Sequence, residues 1–242
     1  MKLHQEKGTG RILELVKTCP GVWIFADGGM LTSPPNPVGF YAWRLVVDGR
    51  CKAAMEGTLK PIGDDPWVTN NTSEHYAVLM ALDFYRENNH MADCRPVNYI
   101  ASDSLCILRR MFEATNPWGS NSPDAIKRLR EWQTDLWPTF QYAEGILLSG
   151  HPRKSQLETG IGPRGYPCSE HNVACDTEMN AMKKRLLAAI NEKFGNIRNY
   201  LVCHMGDKGL ALTDEEMEIL REHDPELAKE YQRESAIPTG RR

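Results

Sequence analysis

The sequence predicts an α/β fold: a mixed five-stranded sheet, three antiparallel strands and then parallel ones, flanked by helices and followed by a small helical C-terminal appendage. Three observations predict it. Apolar, strand-like runs open the chain with tight turns between them. The apolar spacing then changes from the alternation of strands to that of a helix. After that, strand and helix alternate, and a strand–helix–strand step requires parallel neighbours joined by a right-handed crossover.

Each element follows from local residues. A short helix is expected at roughly 10–18. "GVWIFADGG" reads as a strand buried on both faces and ended by Gly28 and Gly29, whose missing side chains let another backbone approach. Beyond the turn "SPPNP", "VGFYAWRLVVDG" and "CKAAMEGTLK" form a hairpin around Asp48-Gly49. In "NTSEHYAVLMALDFYREN", Glu74, Ala77, Val78, Ala81, Leu82 and Tyr85 fall on one helical face. "VNYIASD" is a short strand, "SLCILRRMF" and "AIKRLREWQTDL" are helices, and "FQYAEGILLSG" is a fifth strand. A long Gly/Pro-rich loop then leads to a helix over roughly 171–190, with Cys175, Met179, Met182 and Leu186 on one face.

The expected organisation is an N-terminal segment (1–19), a sheet domain (20–192) and a helical extension (193–242). In the extension, Thr213 and Glu216 make a capping-box signature, and the final "SAIPTGRR" is expected to be disordered.

With 242 residues the chain can bury a full core without staples. The formal net charge of -3 advertises no polyanion partner, so nucleic-acid binding would rest on local basic clusters. Seven irregularly spaced cysteines suit reduced thiols better than a disulfide framework. The N-terminus lacks an apolar signal core and no apolar run has the length of a membrane span, so the expectation is a cytoplasmic protein without a membrane partner.

Four carboxylates occupy informative places. Asp27 ends the first strand, Glu74 lies in the first turn of the long helix, Asp103 ends the fourth strand, and Asp176 opens the last helix. If the first and fourth strands are neighbours, Asp27 and Asp103 emerge side by side. Carboxylates at such range raise one another's pKa and need cations to stay ionised. Hard oxygen ligands select Mg²⁺ or Mn²⁺, and two such ions ~3.5–4 Å apart can activate a water and stabilise a leaving oxygen. Each carboxylate also has a purely structural reading: Asp27 in a turn, Glu74 as partner of an Asn71 cap, Asp103 as a cap, and Asp176 complementing its helix terminus. A second constellation, Cys168, His171 and Cys175, offers three zinc ligands with His151 or Cys203/His204 as a fourth, although a paired Cys-x2-Cys knuckle is missing.

On these residues the chain resembles the ribonuclease H family over roughly 20–190. "FADGG" looks like that family's first catalytic strand, and "TNNTSEHYAVLMAL" is similar to its paired asparagines, glutamate and Ala/Leu helix. "IASDS" looks like its third motif, and "SGH", a loop and "HNVACD" resemble its histidine loop and final aspartate. The resemblance implies a ribonuclease H-like fold, with Asp27, Glu74, Asp103 and Asp176 as ligands of two Mg²⁺ or Mn²⁺ ions. It places Asn70 and Asn71 against the nucleic-acid backbone and 2′-hydroxyls, and His151 in proton movement or product release. Gly28, Gly29 and Asn172 fall beside the substrate, with His171 and Asn172 at the mouth of the site.

The sequence also departs from the common bacterial pattern. The segment between His151 and Asp176 is much longer and carries Arg153, Lys154 and Arg164, a set suited to phosphates. A basic substrate-binding protrusion is not evident, and Lys127, Arg128, Arg130 and Trp132 could take part of its role. The expected activity is cleavage of the RNA strand of an RNA–DNA hybrid, distinguished through successive 2′-hydroxyls. A DNA nuclease of the junction-resolvase type shares the architecture and an acidic metal site, and a zinc-stapled binding module is the non-enzymatic alternative.

Overall fold

The computed structural model describes residues 2–8, 10–31, 38–59, 68–113 and 124–194, and Arg221. In chain order the elements are β1 (Leu3–His4), α1 (Gly10–Thr18), β2 (Val22–Leu31), β3 (Val38–Val47), β4 (Arg50–Thr58), α2 (Asn70–Asn88), β5 (Tyr99–Ser102), α3 (Leu105–Phe112), α4 (Asp124–Asp135), α5 (Trp137–Phe140), β6 (Glu144–Leu147), α6 (Lys154–Thr159) and α7 (Glu170–Phe194). One compact unit comprises residues 1–31 and 38–182 and carries the whole sheet. The expected helical extension from residue 193 falls almost wholly outside the described residues. No described helix is long and apolar enough to cross a membrane.

The fold is mixed α/β, as expected, with one strand more. The sheet has six strands in the order β1-β6-β5-β2-β3-β4. β2, β3 and β4 form the antiparallel meander, and β5 and β6 follow β2 in parallel. The additional strand is β1, which pairs in parallel with β6 through Leu3↔Gly145 and His4↔Ile146. Two residues are too few to show a period, so no pattern in the sequence marks them.

β2 also runs further than the glycines suggested. Its antiparallel pairing continues through Gly28↔Tyr41 and Gly29↔Phe40 to Leu31↔Val38, whereas its parallel pairing with β5 ends at Phe25↔Ala101. The strand is therefore released on one side only, and Asp27 lies just past that release.

Alternation along β2 divides its side chains between two layers. Val22, Ile24 and Ala26 join the core with Ala77, Val78, Ala81 and Leu82 of α2. Trp23, Phe25 and Asp27 share the other face, where Phe25 lies 5.2 Å from the His171 ring of α7 and its carbonyl oxygen accepts from the Cys175 thiol. Burial of α2 exceeds the single face read from sequence, because α4 packs on it as well. His75 Nε2 meets Gln133 Oε1 at 2.8 Å, and Tyr76 packs edge-on against Trp132 at 5.4 Å.

The cap of α2 is Thr69, whose hydroxyl accepts from the Thr72 amide at 3.1 Å while the Thr72 hydroxyl accepts from the Thr69 amide at 2.7 Å. This reciprocal threonine pair replaces the Asn71–Glu74 cap that the sequence allowed, and leaves the Glu74 carboxylate uncommitted to the helix end. The long loop before α7 is likewise built structure: it contains α6 and a β-bridge between Ile161 and Pro167.

Candidate active site

The parallel strands β2 and β5 stop pairing at Phe25 and Ala101, so two residues further along each chain Asp27 and Asp103 emerge together. This is the juxtaposition the sequence required. The extension of β6 completes the floor: the Leu148 amide donates to the Ser102 carbonyl at 2.9 Å. Gly150 then lies so close to Asp103 that a Cβ on it would be 2.3 Å from Oδ2.

Glu74 arrives from above. A Cβ on Gly28 would be 2.2 Å from the Glu74 amide nitrogen and 2.3 Å from the Ser73 carbonyl carbon. The bare backbone of Gly28 thus lets α2 lie directly on β2. Since α2 begins at Asn70, Glu74 sits in its second turn, past the cap. The Ser104 hydroxyl donates to the Glu74 carboxylate, while Glu74 Oε2 is buried with no hydrogen-bond partner. Ser104 is the N-terminal flank of α3 and makes no side-chain capping bond, so neither it nor Asp103 is spent on that helix.

Asp176 projects from the second turn of α7, not from its opening as the sequence reading had it, because the helix begins at Glu170. Its Oδ1 accepts from Asn180 Nδ2 at 2.7 Å, and its Oδ2 lies 3.4 Å from His151 Nδ1. His151 is exposed and held in the left-handed region at φ 48. A non-glycine residue there is uncommon and marks a constrained bend.

The electrostatics join the four carboxylates into one neighbourhood. Asp27 is held well above the usual carboxylate range by burial, then by Asp103 and Asp176, and more weakly by Glu74, against a hydrogen bond from the Gly28 amide. Glu74 is pushed up to about 7 by burial and by Asp103, opposed by Ser104 and Arg110. Asp103 is raised by burial and by Asp176, while His151, its own amide and Arg164 pull the other way. The side chains are neighbours and not a closed cage: among the described residues, no three His, Cys, Asp or Glu side chains are drawn together around one point.

The chemistry of the site's donors is nevertheless that of ligands for hard divalent cations. These donors are carboxylate oxygens, those of Asp27, Glu74 and Asp103 with depressed acidity, and a buried, unpartnered oxygen on Glu74 lacks any proton donor that would satisfy it. Asn172 adds a second such atom, since its side chain is buried and its Oδ1 unpartnered. One helical turn separates it from Asp176, so both lie on the same face of α7.

The remaining residues singled out in the sequence divide into those near this site and those elsewhere. Asn70 and Asn71 are exposed on the first turn of α2, one turn before Glu74. Gly28 and Gly29 are buried within β2, and the backbone approaching Gly28 is that of α2. Asn172 is enclosed and not at a mouth. His171 faces away from the carboxylates: it packs on Phe25 and hydrogen-bonds the Gly49 backbone, at the end of the hairpin where Val47 pairs with Val22. Arg153 and Lys154 are exposed at the start of α6, and no contact joins them to the four carboxylates. Lys127, Arg128 and Arg130 are exposed on α4, while Trp132 is partly buried against Tyr76.

The three zinc-like residues do not converge. The Cys168 thiol donates to the Gln156 carbonyl at 3.3 Å, and the Cys175 thiol to Phe25. Burial raises the pKa of both, which favours thiols over the thiolates that zinc requires. Cys203 and His204 lie outside the described residues.

Ser104 and Gly150 went unnoticed in the sequence. The signal for each was adjacency, since Ser104 follows Asp103 and Gly150 precedes His151. Arg110, whose charge reaches Glu74 from α3, could have been found as a basic residue on that helix's inner side.

No family model and no curated protein matches this chain. Solved structures similar to it include ribonucleases H1 and the protease-reverse transcriptase of prototype foamy virus, the latter 14% identical with a TM-score of 0.49 over 68% of this chain and 21% of its own. LC11-RNase H1, isolated from compost by a metagenomic approach, is 17% identical with a TM-score of 0.47 over 69% of this chain and 98% of its own. RNase H1 from the halophilic archaeon Halobacterium salinarum is 20% identical with a TM-score of 0.40, covering 52% and 84%. LC11-RNase H1 in complex with an RNA/DNA hybrid is 16% identical with a TM-score of 0.40, covering 57% and 89%.

Proposed function

We propose that this chain is a divalent-cation-dependent endonuclease of the ribonuclease H type, hydrolysing phosphodiester bonds in the RNA strand of RNA–DNA hybrids. One observation carries the reading. Four carboxylates, from β2, α2, the residue after β5 and α7, are electrostatic neighbours just past the last β2–β5 pair, three of them with acidity suppressed by burial and by one another. A fold has no structural use for such a cluster, because it destabilises the empty protein.

On this reading Asp27, Glu74, Asp103 and Asp176 would hold two Mg²⁺ or Mn²⁺ ions. Bound there, the ions would supply Lewis acidity to the phosphate and lower the pKa of a water so that it could attack as hydroxide. The chain's own residues do the rest. Gly28 sets the depth at which Glu74 enters, and Ser104 orients one of its oxygens while leaving the other unused. His151, exposed beside Asp176, would exchange a proton at its imidazole with the departing 3′-oxygen or with solvent. Asn70 and Asn71, on the exposed turn before Glu74, offer amides to successive 2′-hydroxyls. The products are 3′-hydroxyl and 5′-phosphate ends.

The test is one panel. Purified protein with Mg²⁺ or Mn²⁺ is incubated with labelled RNA–DNA hybrid, duplex RNA, duplex DNA and a four-way DNA junction, beside an Asp27→Asn variant. The expected result is cleavage of the RNA strand of the hybrid by the wild type alone. Cutting of the junction in preference to the hybrid would move the assignment to a junction resolvase, and equal cutting by Asp27→Asn would remove the carboxylate site from the mechanism.

A further inference from the structure

Of the three basic residues between His151 and Asp176, one is built into the rim of the carboxylate site. The segment leaves β6 through Ser149 and Gly150, forms α6, and returns through the Ile161–Pro167 bridge to α7. Its tip is a tight turn closed by the Gly165 amide donating to the Gly162 carbonyl and the Gly162 amide donating to the Tyr166 carbonyl, both at 2.9 Å.

Three contacts anchor this turn. The Ser149 amide donates to the Pro167 carbonyl at 2.8 Å, the Arg164 amide meets the Ser149 hydroxyl at 3.5 Å, and the Gly8 amide donates to the Gly165 carbonyl at 2.8 Å. Gly162 is pressed so closely on Ser149 that a Cβ would lie 2.2 Å from the serine Cβ. The residue after Ser149 is Gly150, whose backbone lies against the Asp103 carboxylate. Arg164 is thereby tied to the Asp103 side of the site through Ser149 and Gly150.

The guanidinium itself is free to act. Arg164 is exposed, and no side chain among the described residues pairs with it, although its charge is felt at Asp103. An arginine serving only to offset Asp103 would gain most by being buried against it. Left in water at the rim, its planar fork of donors suits an anion that arrives from solution, and a phosphodiester is the anion such a fork fits.

We infer that Arg164 is a substrate-binding residue that grips a backbone phosphate beside the scissile one, on the Asp103 side, and that Arg153 and Lys154 do not share this role. The inference rests on the nuclease reading above. It sets the inserted turn, and not α6, as the added contact to the strand.

The experiment measures binding without turnover. In an Asp27→Asn background, a fluorescent RNA–DNA hybrid is titrated by anisotropy across a salt series with the parent, Arg164→Ala, Arg164→Lys and the Arg153→Ala/Lys154→Ala double variant. Arg164→Ala is expected to weaken binding about tenfold and to reduce the slope of log Kd against log salt by about 0.7–0.9. Arg164→Lys should restore the slope but only part of the affinity, and the double variant should change neither.

An unchanged slope in Arg164→Ala, or an equal change in the double variant, overturns the inference. So does an Arg164→Ala protein whose only change is tighter Mn²⁺ binding by calorimetry, since the residue would then serve the carboxylates. Failure of the wild type to cleave hybrid in the substrate panel sinks the nuclease reading instead, and the salt slope can then be read on whichever nucleic acid binds.

Discussion

The amide nitrogen of Glu74 lies where a side chain on Gly28 would begin, 2.2 Å from the position of its Cβ. The depth at which a carboxylate enters the site is therefore set by the lack of one carbon on the facing strand. Everything that follows for the site depends on that close approach of α2 to β2.

Gly28→Ala should accordingly be costly at a position where strand propensity alone favours alanine. The contact is with backbone, which cannot rotate away, so the first turns of α2 must lift. The expected destabilisation is about 1–3 kcal/mol, read by urea denaturation, together with loss of hybrid cleavage. An alanine variant that is more stable and still cuts would show that α2 yields without consequence.

Without cations the protein should become less stable as pH rises. A carboxylate whose folded pKa exceeds its unfolded one keeps a proton that the unfolded chain has released, so the folded state binds more protons in that window and stability falls with pH. For Glu74 the window runs from its ordinary 4.5 to about 7, and Asp27 and Asp103 act in the same direction. The Glu74 contribution is at most about 3 kcal/mol. In chelator, the melting temperature should drop between pH 5 and pH 7.5, and Mn²⁺ should restore it at the higher pH. A Glu74→Gln protein with the same pH profile as wild type would refute the assignment.

Asp27→Asn should separate folding from turnover. Asp27 is buried under the combined field of Asp103 and Asp176. Removing its charge relieves that repulsion, so the cation-free variant should melt at or above the wild-type temperature near neutral pH. Hybrid cleavage should be abolished. A variant that melts lower in chelator would mean the charge of Asp27 supports the fold.

His151→Ala should have the opposite signature to Gly28→Ala. His151 is exposed, and its 3.4 Å approach to Asp176 is screened by water, so thermal stability should not change. Cleavage should slow by about a hundredfold, in kcat and not in KM, as loss of a proton-transferring imidazole requires. A uniform rise in KM with kcat intact would assign His151 to substrate binding.

The parts of this molecule legible in the sequence were those with a repeated local signal. The meander announced itself through alternation and the Asp48-Gly49 turn, and the place of Asp103 just past β5 through the short apolar run before it, whereas Asp27 lies inside β2 and Glu74 and Asp176 lie in second turns and not at the ends the sequence suggested. Structure that depends on distant pairing was silent. β2 outruns Gly28 and Gly29 because β3 keeps pairing with it, which no local pattern reveals. The position of His171 was misread because its side of α7 is decided by packing on Phe25. In the long insert, Gly and Pro suggested a plain loop, yet α6 needs only one turn and a half and the following bridge is held by backbone bonds. Arg153, Lys154 and Arg164 looked equivalent as charges; only the anchoring of Gly162 on Ser149 tells them apart.

The pairing of β1 with β6 has a consequence for the order of assembly. His4 meets Glu144 across 140 positions of chain, with Nε2 and Oε2 at 2.7 Å. During synthesis β1 leaves the ribosome well before β6 and is thus unable to dock until some 140 further positions have followed. Once β6 has formed, its outer edge is a bare ladder of amides and carbonyls until β1 docks, and loop closure over that span makes its capture slow. A nascent or refolding chain exposes that edge to other copies of itself. A fusion that delays Leu3 and His4 in reaching β6 should lower the yield of soluble protein before it touches activity.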